Sequence, residues 1–261
     1  MVMKMLLYTA TGALIGFIIG ITGVGGGALM TPALLFFGFP AHIAIGTDLW
    51  YAAITKTSGL MTHQKKKHIR WDIALNLTAG SLPAAILTGV ALTLWFGNPD
   101  SYASILKTVL GFMLMITATA LIFRSKLIAV ANDRQSDHSD TSRLFSIKLL
   151  LTGIILGVLV TLSSVGAGAV GTAVLMVLYP RLLPKEIVGT DIAHAVPLTL
   201  IAGIVHLYLG HVDWLLLIAL LIGSIPAINI GAAISSSIPS KYLHPALASL
   251  LLLLGLRYAL F

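Results

Sequence analysis

The sequence has no cysteine and few charged residues. The absence of cysteine from its 261 residues excludes disulfide bonds, thiolate metal ligands and a thiol nucleophile. Only 10% of the residues are Asp, Glu, Lys or Arg, whereas 57% are hydrophobic and the mean hydropathy is +0.99. A soluble domain of this length would not be so apolar, and we therefore expect a polytopic integral membrane protein.

Several enzyme motifs are also missing. No Gly-x-x-x-x-Gly-Lys-Ser/Thr loop occurs, which argues against an ATP-driven pump in this chain. Neither a Gly-x-Ser-x-Gly elbow nor a His-Glu-x-x-His metal motif is present. An intramembrane hydrolase with Ser163 or Ser164, His206 and Asp191 is therefore only a minor alternative. We expect no enzyme, no cofactor and no bound metal.

The net charge of +7 comes from basic residues that lie mainly between the apolar runs. In a soluble protein this charge would suggest a nucleic-acid partner, but here we expect it to orient the chain in the bilayer. Because cytoplasmic loops carry an excess of Lys and Arg, the basic loops 63–72 and 124–148 are predicted to be cytoplasmic. The sequence thus predicts a multi-pass protein of a prokaryotic plasma membrane, with no nucleic-acid partner.

Two segments of the chain resemble each other. At an offset of 143 residues, Gly46-Thr47-Asp48 matches Gly189-Thr190-Asp191, and upstream the offset becomes 141. The further matched pairs include His63 with His206, Trp71 with Trp214, Ser81 with Ser224, Gly25 with Gly166 and Gly27 with Gly168. About 80 residues are therefore duplicated, which is typical of a transporter built from two structural repeats. We predict a first transmembrane repeat at 1–123, a cytoplasmic linker at 124–147 and a second transmembrane repeat at 148–261.

Ten apolar runs follow one another, and several are too short to cross a bilayer alone. Gly-rich breaks at 22–27 and 163–168 divide two pairs of these runs. Because a glycine run does not sustain a lipid-facing helix but can line a protein-buried cavity, each pair is predicted to be a Gly-broken helical hairpin. The predicted fold class is an all-α polytopic membrane protein. Its runs are 5–21, 26–39, 44–62, 72–96, 102–123, 147–163, 166–180, 188–209, 212–236 and 243–260.

The two repeats are predicted to have inverted topology. The loop Lys65–Arg70 is basic, but the equivalent loop in the second copy, Leu207–Val212, has no Lys or Arg. The second loop therefore favours a non-cytoplasmic position. Equivalent loops on opposite sides of the membrane imply inverted repeats.

Asp48 and Asp191 are the candidate proton-coupling residues, together with His194. An ionisable group at membrane depth is costly and usually belongs to an ion or substrate path. The alternative is that each Asp caps its helix, a role that Thr47 and Thr190 could equally have. His194 follows Asp191 by three residues on the same helix face and can shuttle protons near neutral pH. His63 and His206 are better explained as interfacial helix-end residues.

The Gly-rich breaks are the candidate substrate site, because backbone N–H groups beside helix N-termini bind anions. The alternative is close helix packing by small residues. Lys56 lies on a face similar to that of Asp48, where it either binds the anion or snorkels toward the cytoplasm or neutralises an acid. The candidate substrate-binding residues are Gly25, Gly26, Gly27, Thr47, Lys56, Ser164, Gly166, Gly168 and Thr190.

The ordered motifs resemble the sulfite exporter TauE/SafE family of membrane permeases. They are Gly23-x-Gly25-Gly26-Gly27 followed by Pro32, Gly46-Thr47-Asp48, His63 and a Trp-containing loop, repeated in the second half. The resemblance covers nearly the whole chain and implies secondary transport of small sulfur-containing anions such as sulfite, sulfoacetate or related organic acids. The second copy departs from the pattern, with Ala167 for Gly26 and Ala173 for Pro32.

Together these observations predict a secondary transporter for a small anion, most simply sulfite or an organosulfur or sulfonate oxyanion. Proton-coupled alternating access between the repeats is the favoured mechanism. A passive anion channel is the closest alternative. The expected partners are the anion, protons and the lipid bilayer, and a homodimer is left open.

Overall fold

The computed structural model describes residues 2–22, 27–95, 98–133, 144–234 and 240–260. These residues form ten α-helices and no strand, so the predicted all-α class is confirmed. The helices are α1 Val2–Thr22, α2 Gly27–Phe36, α3 Ala41–Lys65, α4 Trp71–Trp95, α5 Pro99–Asp133, α6 Leu144–Ser163, α7 Ala169–Leu178, α8 Pro184–Tyr208, α9 Trp214–Ile234 and α10 Ser240–Leu260.

Each predicted apolar run corresponds to one helix. Five of the helices in the described residues are long and apolar enough to cross a membrane: Met3–Thr22, Trp71–Trp95, Ser101–Phe123, Pro184–Tyr208 and Trp214–Ile234. The helix α5 continues to Asp133, ten residues into the segment predicted as a linker, and residues 134–143 lie outside the described residues.

The central helices α3 and α8 begin earlier than the apolar pattern indicates. Pro40 precedes α3, and Pro184 is the first residue of α8, a position that suits proline because its fixed φ favours a helix and its missing N–H is not needed there. Asp48 and Asp191 are consequently each the eighth residue of their helix. The interpretation of these acids as helix caps is therefore wrong.

The outer helices pack against helices from the other half of the chain. The helix α1 packs along α9, and α6, its counterpart, packs along α4. Gly12 lies against the backbone of Leu220, and the equivalent Gly153 lies against the backbone of Leu77. A Cβ atom at either glycine would overlap the facing carbonyl oxygen, so these close approaches require glycine.

At the centre, α3 packs against its own counterpart α8. The Trp50 indole N–H donates to the Gly203 carbonyl at 2.9 Å, whereas further along α3 Gly59 lies beside Ile192. The contact positions rise along α3 as they fall along α8, so the two equivalent helices run antiparallel.

The connection after a central helix of one repeat is likewise hydrogen-bonded to the central helix of the other repeat. The Thr47 hydroxyl accepts a hydrogen bond from the backbone N–H of Asp213 at 3.1 Å. The Thr190 hydroxyl accepts the equivalent bond from the N–H of Arg70 at 3.0 Å. One end of the molecule thus holds the basic connection 66–70 and the start of α8, and the opposite end holds the connection 209–213 and the start of α3.

The second Gly-rich break is a sharp turn between α6 and α7. Ser164, Gly166 and Gly168 have positive φ angles of 59°, 118° and 141°. Glycine adopts such angles without the steric cost that other residues incur, which explains the glycines at 166 and 168. The first break lies at 23–26, outside the described residues, between the end of α1 and the start of α2.

Candidate functional site

A cavity of about 410 Å³ is lined by α3, α7 and α8, with further residues from α1, α5 and α9. Lys56 and Asp191 line it, and it extends to His63 and the exposed Ser58 near the basic connection 66–70. The short helix α7 contributes its N-terminal end through Gly168, Ala169 and Thr172. The cavity therefore combines a cation, a carboxyl group and a helix N-terminus.

Lys56 is buried with 9% of its surface exposed, so the interpretation that it snorkels toward the cytoplasm is wrong. Its ammonium group donates a hydrogen bond to the carbonyl of Ala167, in the Gly-rich turn before α7. Both Asp48 and Asp191 interact electrostatically with it, but neither carboxyl group forms an ion pair with it. An unpaired buried cation is energetically costly, which suits a site that takes up an anion.

Asp191 is held against α7. Its Oδ2 atom accepts a hydrogen bond from the Thr172 hydroxyl at 3.1 Å, and its buried Oδ1 atom has no hydrogen-bond partner. A Cβ atom at Gly171 would lie only 2.0 Å from Oδ1, so only glycine at this position allows the carboxyl group to approach the helix this closely. The equivalent residue of the first repeat is the buried Met30.

Asp48 is fully buried and lies outside the cavity. The Thr31 hydroxyl donates a hydrogen bond of 2.5 Å to its Oδ2 atom, in the same way that Thr172 contacts Asp191. Ser164 Oγ and Asp48 Oδ1 are both buried and have no partner within hydrogen-bond distance. Sequence reasoning missed Thr31 and Thr172; their equivalent positions at the offset of 141 were the signal that could have found them.

His194 is buried beside Asp191 on α8 but does not line the cavity. Its Nε2 atom is 2.9 Å from the Ser81 hydroxyl. Tyr51, which replaces His194 in the first repeat, faces Ser224, the counterpart of Ser81. The two residues therefore occupy equivalent places between a central helix and a partner helix.

The remaining candidate residues are not all brought to the cavity. Thr47 and Thr190 use their hydroxyl groups on backbone N–H groups of the helix connections and do not line it. Gly168 lines the cavity, and Gly166 lies in the same turn. Gly27 is the first residue of α2, whereas Gly25 and Gly26 lie outside the described residues.

The family model of the sulfite exporter TauE/SafE matches residues 8–258. The chain is 35% identical over 246 residues to the probable membrane transporter protein YjnA of Bacillus subtilis, covering 94% of this chain and 96% of the relative. The chain belongs to the TauE/SafE family. It is also 30% identical over 264 residues to a probable membrane transporter protein of Methanocaldococcus jannaschii, covering 93% and 92% of the two chains. No solved structure matches it.

Membership of the TauE/SafE family identifies the chain as an integral membrane transporter. The hydrolase residues are not arranged as a triad. Ser163 donates to the Leu159 carbonyl at 2.6 Å, His206 contacts Thr161 and His211, and Asp191 accepts from Thr172. Within the described residues, no group of three or more His, Asp or Glu side chains could hold a metal ion.

The basic end of this TauE/SafE protein carries an exposed ion pair between Arg70 and Asp72, with an N–O distance of 2.9 Å. The Asp72 carboxylate raises the pKa of Arg70, and the more distant Glu186 adds to this shift. Because both side chains are well exposed, the pair contributes at most about 1 kcal/mol to stability.

Proposed function

We propose that this protein is a secondary transporter that moves a small anion across the plasma membrane by proton-coupled alternating access. Sulfite or an organosulfur or sulfonate oxyanion is the proposed substrate. One observation carries the proposal. The residues that line the open cavity have counterparts in the other repeat, and those counterparts are fully buried.

The sealed half follows from the repeat offsets. Asp191 and Thr55 line the cavity, whereas the equivalent Asp48 and Leu198 have no exposed surface. The same contrast holds for eight residues around the sealed region, all of them at 0% exposure: Thr31, Asp48, Leu49, Val160, Thr161, Leu198, Ala202 and His206. Their respective counterparts Thr172, Asp191, Ile192, Ile19, Gly20, Thr55, Gly59 and His63 all line the cavity. Two equivalent halves in two different states support a mechanism in which they exchange these states.

The antiparallel packing of α3 and α8 supports inverted repeats. A two-fold operation that relates two antiparallel helices has its axis perpendicular to them. If both helices cross the bilayer, that axis lies in the membrane plane, which is the arrangement of inverted-topology transporters. The basic connection 66–70 would then be cytoplasmic and the cavity would open to the cytoplasm.

Lys56 and the N-terminus of α7 are the proposed anion site. The first N–H groups of a helix lack acceptors within it, and here they meet the cavity at Ala169 beside the turn that Lys56 contacts. The N–H of Gly171 already donates to the Gly166 carbonyl at 3.0 Å, so the anion would bind at the residues before it. One ammonium group and one helix N-terminus suit a small oxyanion of low charge, and the Thr55 and Thr172 side chains also reach this space.

Asp191 and Asp48 are the proposed proton carriers, one for each half. Asp191 meets the open cavity, and Asp48 would meet the equivalent cavity after the exchange of states. Either carboxyl group is close enough to Lys56 to interact with it. Proton binding and anion binding would therefore be coupled through this lysine. His194 would assist as a proton relay behind Asp191.

Proteoliposome flux tests the proposal, with sulfite, sulfoacetate and small carboxylates measured with and without an imposed pH gradient. We expect gradient-driven flux of a sulfur oxyanion that is lost in Asp191→Asn, Asp48→Asn and Lys56→Gln. Lys65→Gln, at the exposed end of α3, is the charge-matched control and should retain flux. Flux that ignores the gradient and survives all three substitutions would instead establish a passive anion channel.

A further inference from the structure

A chain of hydrogen bonds closes the end of the molecule that lies opposite the basic connection. The Tyr102 hydroxyl is 2.9 Å from His211 Nε2, and His211 Nδ1 is 3.1 Å from His206 Nδ1. His206 Nε2 is 2.9 Å from the carbonyl oxygen of Thr161. The Tyr102, His206 and His211 side chains are at most 2% exposed and come from α5, α8 and the α8–α9 connection. The hydrogen bonds therefore connect separate parts of the fold.

The direction of each hydrogen bond follows from the backbone carbonyl at its end. A carbonyl only accepts, so His206 must donate from Nε2, and its Nδ1 is then an acceptor. His211 therefore donates from Nδ1 to His206, and its Nε2 accepts from the Tyr102 hydroxyl. Each ring holds one proton. A second proton on His206 would place two N–H groups against each other.

The first repeat has an equivalent of the His206–Thr161 pair, but its two residues are not hydrogen-bonded. His63 corresponds to His206 and Gly20 to Thr161, and both His63 and Gly20 line the open cavity. No hydrogen bond joins the His63 side chain to the Gly20 carbonyl, and its buried Nδ1 atom has no partner. The two repeats thus show the same histidine in a closed and an open arrangement.

We propose that His206 and His63 are the gate residues of the two halves, and that each closes its end by donating from the imidazole to a backbone carbonyl. His206 closes its end on Thr161 in the present state, and His63 would close the other end on Gly20 in the exchanged state. This inference rests on the proposed alternating access. In this role each histidine acts through a backbone carbonyl and not on the anion, so both are positioning residues.

The closed gate is also sensitive to acid. His42 from α3 and Tyr102 from α5 are the titratable groups that face the pair, and Asp213 in the same connection accepts a hydrogen bond from the Leu216 N–H. Burial and the neighbouring His206 and His42 lower the pKa of His211, in the connection, to about 3. A depressed pKa means that closure is favoured above the ordinary histidine pKa of about 6.5 and weakens as the pH falls below it.

The chain has no cysteine, so single cysteines report accessibility without interference. Thr55→Cys reports on the cavity and Leu198→Cys on the equivalent sealed position. The measurement is the rate of reaction with a water-soluble maleimide, divided by the rate for the protein unfolded in detergent at the same pH. In the otherwise unchanged protein at pH 7.5, we expect Thr55→Cys to react and Leu198→Cys to be protected.

Loss of the gate should reverse this pattern. With His206→Ala, we expect the Leu198→Cys rate to rise about tenfold or more, the size expected for a buried hydrogen bond, and the Thr55→Cys rate to fall. His206→Gln keeps a donor for Thr161 and should restore protection, which distinguishes gating from a general loss of packing. His63→Ala is the matched control and should leave Leu198→Cys protected.

Acid gives a second readout that needs no gate variant. Between pH 7.5 and 5.5, the Leu198→Cys rate should rise by up to about tenfold per pH unit below 6.5 for each histidine protonated. This rise should be smaller with His206→Gln, which leaves His211 as the titratable member of the pair. Protection that is unchanged both with His206→Ala and in acid would overturn the gate. If sulfite still raises the reaction rate of Leu198→Cys in that case, alternating access is retained and only the gate is ruled out. If no condition exposes Leu198→Cys, both the gate and alternating access are ruled out.

Discussion

The Oδ1 atom of Asp191 occupies the space beside the α-carbon of Gly171 where a side chain would begin. This contact places the carboxyl group against the first turns of α7, within hydrogen-bond distance of Thr172. The first repeat has Met30 at the equivalent position, so only the second repeat has a glycine beside its acid. The glycine therefore sets the shape of the open half of the site.

Gly171→Ala should displace the Asp191 carboxyl group and reduce anion flux. A methyl group there overlaps Oδ1, and shifts of about 1 Å at a reactive group can cost up to about 100-fold in rate. We expect a loss of at least about tenfold in proteoliposome flux with normal insertion in the membrane. The control is Val177→Ala on the same helix, whose side chain is 63% exposed. Equal flux in the two variants would contradict the role of this contact.

Gly12→Ala and Gly153→Ala should each lower thermal stability. Both glycines lie against a partner backbone at equivalent helix crossings, and an added methyl group forces the helices apart. Overpacking of this kind typically costs about 1–3 kcal/mol. The matched controls are Leu14→Ala and Ile155→Ala, which are equivalent to each other and 63% and 58% exposed.

Thermal unfolding in detergent measures these four variants. We expect the two glycine variants to melt at similar, clearly lower temperatures than the two controls. If only one glycine variant were destabilised, the exchanged packing of α1 on α9 and α6 on α4 would not be equivalent in the two halves.

The helices and the second Gly-rich break could be predicted, because hydrophobic runs and glycines are features of the local sequence. The contacts of Thr47 and Thr190 could not be predicted. Each hydroxyl meets the N–H of a residue more than 100 positions away in the chain, in the opposite repeat. Likewise, nothing in the spacing of His63 and His206 shows that one lines a cavity and the other is sealed, because that difference belongs to the conformation.

Thr47→Val and Thr190→Val should affect stability more than substrate affinity. Each substitution leaves a backbone N–H of a helix connection without its partner, which costs about 1–3 kcal/mol when buried. We expect lower melting temperatures, with the KM for the anion changed less than about twofold, and recovery in the two Thr→Ser variants. A large rise in KM at unchanged melting temperature would instead return both residues to the substrate site.

The orientation of the equivalent connections can be tested with single cysteines at the ends of α3 and α8. Lys65 and Tyr208 are equivalent residues, and both are exposed. If the repeats are inverted, a membrane-impermeant maleimide added to intact cells should label Tyr208→Cys and should label Lys65→Cys only after permeabilisation. This follows from the antiparallel packing of α3 and α8, because counterpart ends of antiparallel helices lie on opposite sides. Labelling of both cysteines from the same side would rule out inverted topology, and with it the assignment of the open cavity to the cytoplasm.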